Sequence, residues 1–357
     1  MDNITTLSPP IPGEICSIND AVLWCRMPLP LALDHINVYL VRDNGGWAII
    51  DCGMATKATK AAWADVIAQL DGPITRVLVT HMHPDHIGCA GYLTELYQVD
   101  LYMSQTEYYA ARALLAGNQG ADNWQDKQYY RRAGFNEEQV QLFTQGNGGF
   151  KKVVSAMPIS FNRLLPGTSL LIGDYEWALL LGCGHSPEHI SFYCKALDIC
   201  IGGDQVLPQI TPNIGAYSTQ PNSNPLFYYF ETLQTFANLP QTTLLLPSHK
   251  TPIYDIPARV EEIRTHHHIH LQNLLAACEK PQTVVSLLPV LFHRELGQHE
   301  LFFAVAECIA HLNYLVYNEQ LEKQLDENDV FQRDKSAYAD HASTSNAVYT
   351  KNSKKLL

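Results

Sequence analysis

Ile74-Thr75-Arg76-Val77-Leu78-Val79-Thr80-His81-Met82-His83-Pro84-Asp85-His86 is the stretch from which the rest of the chain can be read. Its first seven residues, behind Pro73, are mostly β-branched and apolar, the pattern of a buried strand. Residues 87–97 then read as a helix. The turn between them holds four metal-ligating side chains, His81, His83, Asp85 and His86, within six residues. A cluster at the end of a strand stands on a rigid support yet faces solvent, where a metal and a substrate can reach it. Imidazole nitrogens and carboxylate oxygens suit Zn²⁺, or Fe or Mn in other geometries, whereas a closed structural zinc usually sits in a cysteine cage. No cysteine pair here has that spacing. His81 and His83 would face one side of an extended turn, leaving Asp85 and His86 to reach a second position, so two metals can share the loop.

A dinuclear site needs further ligands, each expected in a loop after a strand. Gly182-Cys183-Gly184-His185-Ser186-Pro187-Glu188-His189 follows the apolar run 177–181, and its glycines permit close backbone approach. Ile199-Cys200-Ile201-Gly202-Gly203-Asp204 reads as a short buried strand ending in an acid. Thr243-Leu244-Leu245-Leu246-Pro247-Ser248-His249 is another, ending in a histidine.

Taken with Ile49-Ile50-Asp51-Cys52-Gly53, these motifs resemble those of the metallo-β-lactamase-fold hydrolases, closest to their glyoxalase II-like branch, over roughly residues 15–255. The resemblance implies an α/β fold, a four-layer αββα sandwich with ligands gathered along one edge. It also implies that His81, His83 and His185 hold one divalent metal, that Asp85, His86 and His249 hold the other, and that Asp204 bridges them. Zinc is the expected metal, with iron or manganese as alternatives. His189 is then a supporting residue, and Asp51 an outer partner that orients a ligand histidine. Two such metals clamp a water and lower its pKa toward ~7, so the nucleophile is hydroxide rather than a side chain, with Asp85 or Asp204 as proton acceptor. True β-lactamases of this fold commonly carry cysteine where Asp204 stands, and flavodiiron proteins replace the second histidine by glutamate. Neither pattern is present. Small esters, thioesters and lactones are the leading substrates. Metal-dependent cleavage of RNA or another phosphodiester is the alternative, and a non-catalytic binding scaffold a third.

Composition weighs on that choice. The chain has 24 basic and 36 acidic residues, a formal charge of −12, which disfavours the broad cationic surface that nucleic acid requires. Arg131-Arg132 and Lys151-Lys152 are the nearest basic pairs, each as easily explained by a solvated surface. No run of ~18 apolar residues marks a membrane span, and residues 1–15 lack a signal core, so cytoplasmic residence is expected. Nine scattered cysteines read as reduced core thiols.

Along the chain, strands are expected over 15–26, 36–42 and 47–51, with a helix over 56–70. A second set follows at 169–172, 175–181, 190–195, 199–202 and 243–246, with a helix over 225–238. Between the sets, a helical insertion of about 103–158 is rich in aromatics, among them Tyr108, Tyr109, Trp124, Tyr129, Tyr130, Phe135 and Phe143. It is longer than a connection needs, and reads as a lid over the site, a self-packed unit or a contact between two copies of the chain. Gln205, Gln209 and Asn213 follow the bridging acid as binding candidates.

Beyond the catalytic unit, residues 256–318 form a helical subdomain that locally resembles the winged-helix-like appendage of endoribonuclease relatives. Its run His266-His267-His268-His270 pairs only His266 with His270 on one helix face, with no acid to complete a set. Residues 319–357 read as a polar tail, disordered beyond about residue 335.

Overall fold

The computed structural model describes residues 7–30, 33–117, 123–144, 149–325 and 329–333. A seven-stranded sheet runs in sequence order through β1 (Ile15–Ser17), β2 (Val22–Pro28), β3 (His35–Asp43), β4 (Gly46–Ile50), β5 (Ile74–Leu78), β6 (Leu101–Met103) and β7 (Asn162–Arg163). It begins as antiparallel hairpins and becomes parallel from β4 onward, because α1 (Lys57–Ile67) and then α2 (Pro84–Ile87) with α3 (Ala90–Tyr97) return the chain to the same end. The second sheet comprises β8 (Ser169–Ile172), β9 (Tyr175–Gly182), β10 (His189–Cys194), β11 (Ile199–Gly203) and β12 (Leu244–Pro247), in spatial order β12-β11-β10-β9-β8.

Period-two alternation sorts the strand residues between layers. In β3, Ile36, Val38 and Leu40 point outward to Trp63 and Val66 of α1, while Tyr39 and Val41 point inward. Facing them across the sandwich are Trp177, Leu179, Ile190, Phe192 and Ile201 of the second sheet. Cys200 and Leu245 leave that sheet on its other face and pack under α8 (Pro225–Ala237) and α9 (Ile256–Ala277). Two sheets face to face with helices on both outer surfaces form the expected αββα arrangement.

The insertion comprises α4 (Gln105–Ala116), α5 (Trp124–Ala133), α6 (Glu137–Thr144) and α7 (Gly149–Val153). It does not form one body. Tyr108 and Ala111 of α4 join the core of the first sheet's helices. Tyr129, Tyr130, Phe135 and Val140 instead enter one core with α8, α9, α10 (Val284–Leu291) and α11 (Gln298–Tyr317). These aromatics therefore bind the insertion to the C-terminal helices. Trp124 and Tyr109 remain exposed.

The polar stretch after residue 319 departs from the expected tail. It forms a hairpin, β13 (Leu321–Leu325) and β14 (Asp329–Arg333), and Phe331 exchanges backbone hydrogen bonds with Gln282. Leu321 and Phe331 are buried against the helical core, and Lys323 pairs with Asp329 at 2.6 Å. Two apolar anchors in ten residues suffice for a strand pair that borrows its core from neighbouring helices. The expectation of disorder past residue 335 lies outside the described residues.

The sheets are also joined at the end remote from the metal-ligating loops. Asp43 is buried and accepts from Arg76 Nε and Nη2 at 2.7 and 2.8 Å, from Thr75 Oγ1 at 2.6 Å and from Gly173 N in the β8–β9 turn at 2.9 Å. Burial pushes its pKa up, but these donors outweigh burial and hold the carboxyl below its ordinary value. Asp43→Asn is expected to cost about 2–3 kcal/mol at neutral pH, the scale of hydrogen bonds to a charged group. A lowered folded-state pKa makes this contribution full above the unfolded carboxyl pKa, and it is lost as pH falls through the depressed value. Urea denaturation of both proteins at neutral pH and in acid checks this: the gap should close in acid, and an equal gap at both would sink it.

Candidate metal centre

Each candidate ligand sits in the loop or turn just beyond the end of a strand. Val79 and Thr80 continue β5 into the turn, where Pro84 opens the four-residue helix α2 that carries Asp85 and His86. β9 ends at Gly182 and β10 begins at His189, so His185 lies at the tip of the connecting loop. β11 delivers Asp204, and β12 delivers His249. All seven expected residues meet at this one edge of the sandwich, as two groups, His81/His83/His185/Asp204 and Asp85/His86/His249, whose donor atoms lie within 4.8 Å of one another inside each group.

The donor atoms converge as ligands do. His83 Nδ1 lies 3.0 Å from His81 Nε2 and 2.9 Å from His185 Nε2, and Asp204 Oδ2 lies 3.2 Å from His185 Nε2. In the other group His249 Nε2 is 3.3 Å from Asp85 Oδ2. Asp204 Oδ1 approaches His86 Nε2 at 3.4 Å and His249 Nε2 at 3.6 Å, so this one carboxylate touches both groups. His86 Nε2 is buried and has no hydrogen-bond partner among the described residues, although it faces two carboxylates. A cation is what such an array of lone pairs fits.

Outer partners fix the rings. Nδ1 of His86 meets Asp51 Oδ2 at 2.7 Å, Nδ1 of His185 donates to the Asn213 carbonyl at 2.8 Å, and Nδ1 of His249 donates to the His35 carbonyl at 3.0 Å. Each leaves Nε2 turned to the centre, the tautomer that a ligand requires. Asp51 sits at φ +62° and also accepts from Thr80 N and Oγ1, locking the start of the His81 loop. His189 is buried, and its Nε2 accepts from the Asp204 amide at 3.2 Å. Gly203 must be glycine there: its φ is +54°, and a Cβ would stand 2.3 Å from that nitrogen.

Charge divides the two groups. Burial, reinforced by neighbouring histidines, pushes His81 far down and His83 down to about 3, so both rings are neutral donors. Burial also opposes protonation of His86 and His249, but Asp51, Asp204 and Asp85 raise His86 above its ordinary value, and Asp204 and Asp85 do the same for His249. The histidines in turn hold Asp85 down at about 2 and Asp204 well below the ordinary range, against burial. His81, His86, Asp204 and His249 are buried, whereas His83, Asp85 and His185 are partly exposed, so the centre opens on their side.

Several supporting residues have no counterpart in the sequence reading. Glu107 of α4, fully buried, accepts from Met82 N at 2.9 Å and from Glu188 N at 2.7 Å, joining the His81–His83 turn to the His185 loop. Asn37 donates from Nδ2 to the carbonyls of Pro247 and Lys250, and Tyr39 Oη donates to Pro247 at 2.7 Å, so the first sheet holds the His249 loop of the second. A buried asparagine in an apolar strand was the one available signal. Of the three binding candidates, Gln205 is buried and bonds to Thr232 and the Cys183 carbonyl, while Asn213 holds His185 through its backbone.

A four-layer sandwich with two adjoining groups of imidazole and carboxylate donors at one edge defines a metallo-hydrolase fold. The chain belongs to the metallo-beta-lactamase superfamily, whose profile matches residues 31–249. A second profile, the metallo-beta-lactamase-like C-terminal domain, matches residues 271–335. Among solved structures, a beta-lactamase domain protein from Burkholderia ambifaria is 34% identical with a TM-score of 0.85, covering 92% of this chain and 96% of its own. A metallo-beta-lactamase family protein from Thermus thermophilus is 26% identical with a TM-score of 0.76, covering 89% and 100%. A probable metallo-hydrolase of Bacillus subtilis (strain 168) is 28% identical over 130 residues, 36% of this chain and 47% of that protein, so the aligned stretch spans about half of that relative. No described helix is long and apolar enough to cross a membrane.

Proposed function

We propose that this protein hydrolyses a small ester, thioester or lactone with a pair of divalent metal ions, most simply zinc, in the manner of the glyoxalase II-like branch. The observation that carries the reading is the donor set: five imidazoles and two carboxylates, with no thiolate, meeting at a partly open edge. Oxygen and nitrogen donors with an accessible side suit catalytic rather than closed structural metal sites. When bound, such ions supply a water of lowered pKa and polarise the scissile carbonyl.

The chain's own groups do the rest. His81, His83 and His185 would hold one ion, Asp85, His86 and His249 the other, and Asp204 would span them. Asp85 Oδ2 lies on the open side and Asp204 between the groups, so these oxygens are the ones that can take a proton as the tetrahedral species forms. Asp51, Asn213 and His35 keep the ligand rings in one tautomer while that proton moves. The formal charge of −12 favours a small substrate over a polyanion, and cytoplasmic residence accords with nine free cysteines.

The test is metal analysis of the purified protein with parallel assays on thioesters, lactones, phosphodiesters and single-stranded RNA. About two metals per chain with thioester or lactone turnover is the expected result. Cleavage of RNA or phosphodiesters alone would overturn it and make the enzyme a nuclease or phosphodiesterase.

A further inference from the structure

Sequence spacing pairs His266 with His270 on α9 and finds no acid for them. The packing selects other partners. His267, fully buried, has Nδ1 3.0 Å from Nε2 of His311 on α11. Glu307 lies one helical turn before His311 and brings a carboxylate to the pair, so that one donor atom from each of the three lies within 4.8 Å of the others. We propose that His267, Glu307 and His311 form a second, structural cation site, separate from the catalytic centre, that takes one transition-metal ion of the zinc class.

Three observations support it. The nitrogen spacing of 3.0 Å equals that of His81 and His83, and is close to the 2.9 Å of His83 and His185. His311 Nδ1 donates to the Glu307 carbonyl at 2.8 Å, which places the lone pair on Nε2, facing His267. This is the arrangement that aims His185 and His249 into the catalytic centre.

The third concerns the charge that a plain His267–His311 hydrogen bond would leave unmet. The Glu307 carboxylate accepts from Asn213 Nδ2 at 2.9 Å, and no lysine or arginine among the described residues forms an ion pair with it. A buried carboxylate without a countercharge is costly, and a cation beside it removes that cost. Two imidazoles and one carboxylate are a zinc-class donor set. Full burial of both histidines closes the site to substrate, which makes the ion structural.

The ion would fasten α9 to α11 and, through Glu307, hold the side chain of Asn213, whose carbonyl orients His185. The C-terminal helices would thus help to set a ligand of the catalytic centre.

Anomalous diffraction at the zinc edge from zinc-loaded crystals of the full chain tests this directly. The expected result is a peak between α9 and α11, with donors of His267, Glu307 and His311 at about 2.0–2.2 Å. Peaks confined to the catalytic loops would overturn it. In solution, dialysed His267→Gln should carry one equivalent of zinc fewer than the parent protein. Glu307→Gln, which retains an acceptor for Asn213, should do the same if the histidine variant fails to fold. Equal metal content in parent and folded variant would also overturn it.

Discussion

Asp204→Asn should reduce hydrolysis by about 10²–10³-fold, the scale on which removing one preorganised group at the reacting atoms acts. The reason is position. Among the described residues, Asp204 is the one carboxylate within 3.6 Å of ring nitrogens from both candidate ligand groups, and it also accepts from Ser248 Oγ. Asparagine keeps the volume and one acceptor oxygen but turns an NH₂ toward one of those nitrogens and deletes the negative charge. Metal content should fall in parallel, because neutral donors alone compensate a dication poorly. The His189 bond to the residue's amide does not depend on the side chain, so the backbone should stay in place. Turnover and metal stoichiometry measured on one preparation check this. A variant that retained both within tenfold would remove Asp204 from the centre.

Glu107→Ala should destabilise the protein by about 2–4 kcal/mol, since it leaves two partly buried backbone N–H groups without an acceptor at roughly 1–3 kcal/mol each. Glu107 accepts from Met82 and Glu188, so the loss would loosen the turn bearing His81 and His83 against the loop bearing His185. Metal affinity should therefore fall as well, by about 10–100-fold, as it does when the outer support of a ligand is removed. Glu107→Gln keeps one acceptor and should fall between. Denaturant unfolding with and without zinc, together with a metal titration, separates the two effects. A loss below about 0.5 kcal/mol, typical of a surface substitution, would show that these amides find other partners.

The candidate metal-ligating side chains were legible because each belongs to a local pattern. His81 to His86 crowd one turn, Gly184 and Gly203 mark loops that must approach other groups closely, and Asp204 and His249 each terminate a short apolar run. The strands expected over 36–42 and 47–51 were likewise legible, although which residues of β3 face the helices and which face the second sheet was decided by the packing. The hairpin of β13 and β14 was not legible, since its polar sequence acquires a core only from α10 and α11. Nor was the fate of the insertion, whose aromatics could pack on themselves, on the site or on the C-terminal helices.

Sequence by itself therefore determined the donor chemistry, because that rests on residue type repeated at short spacing, and it reached the layered frame only through the family resemblance that those motifs carry. Tertiary structure alone decided what holds the donors in place. Glu107 reaches the ligand loops from the insertion, Asn37 crosses from one sheet to the other, and Glu307 meets His267 from a helix far along the chain. Each acts through one or two hydrogen bonds or a single donor atom, which any glutamate or asparagine could make. Only folding, by burying that atom beside its partner, selects which one does.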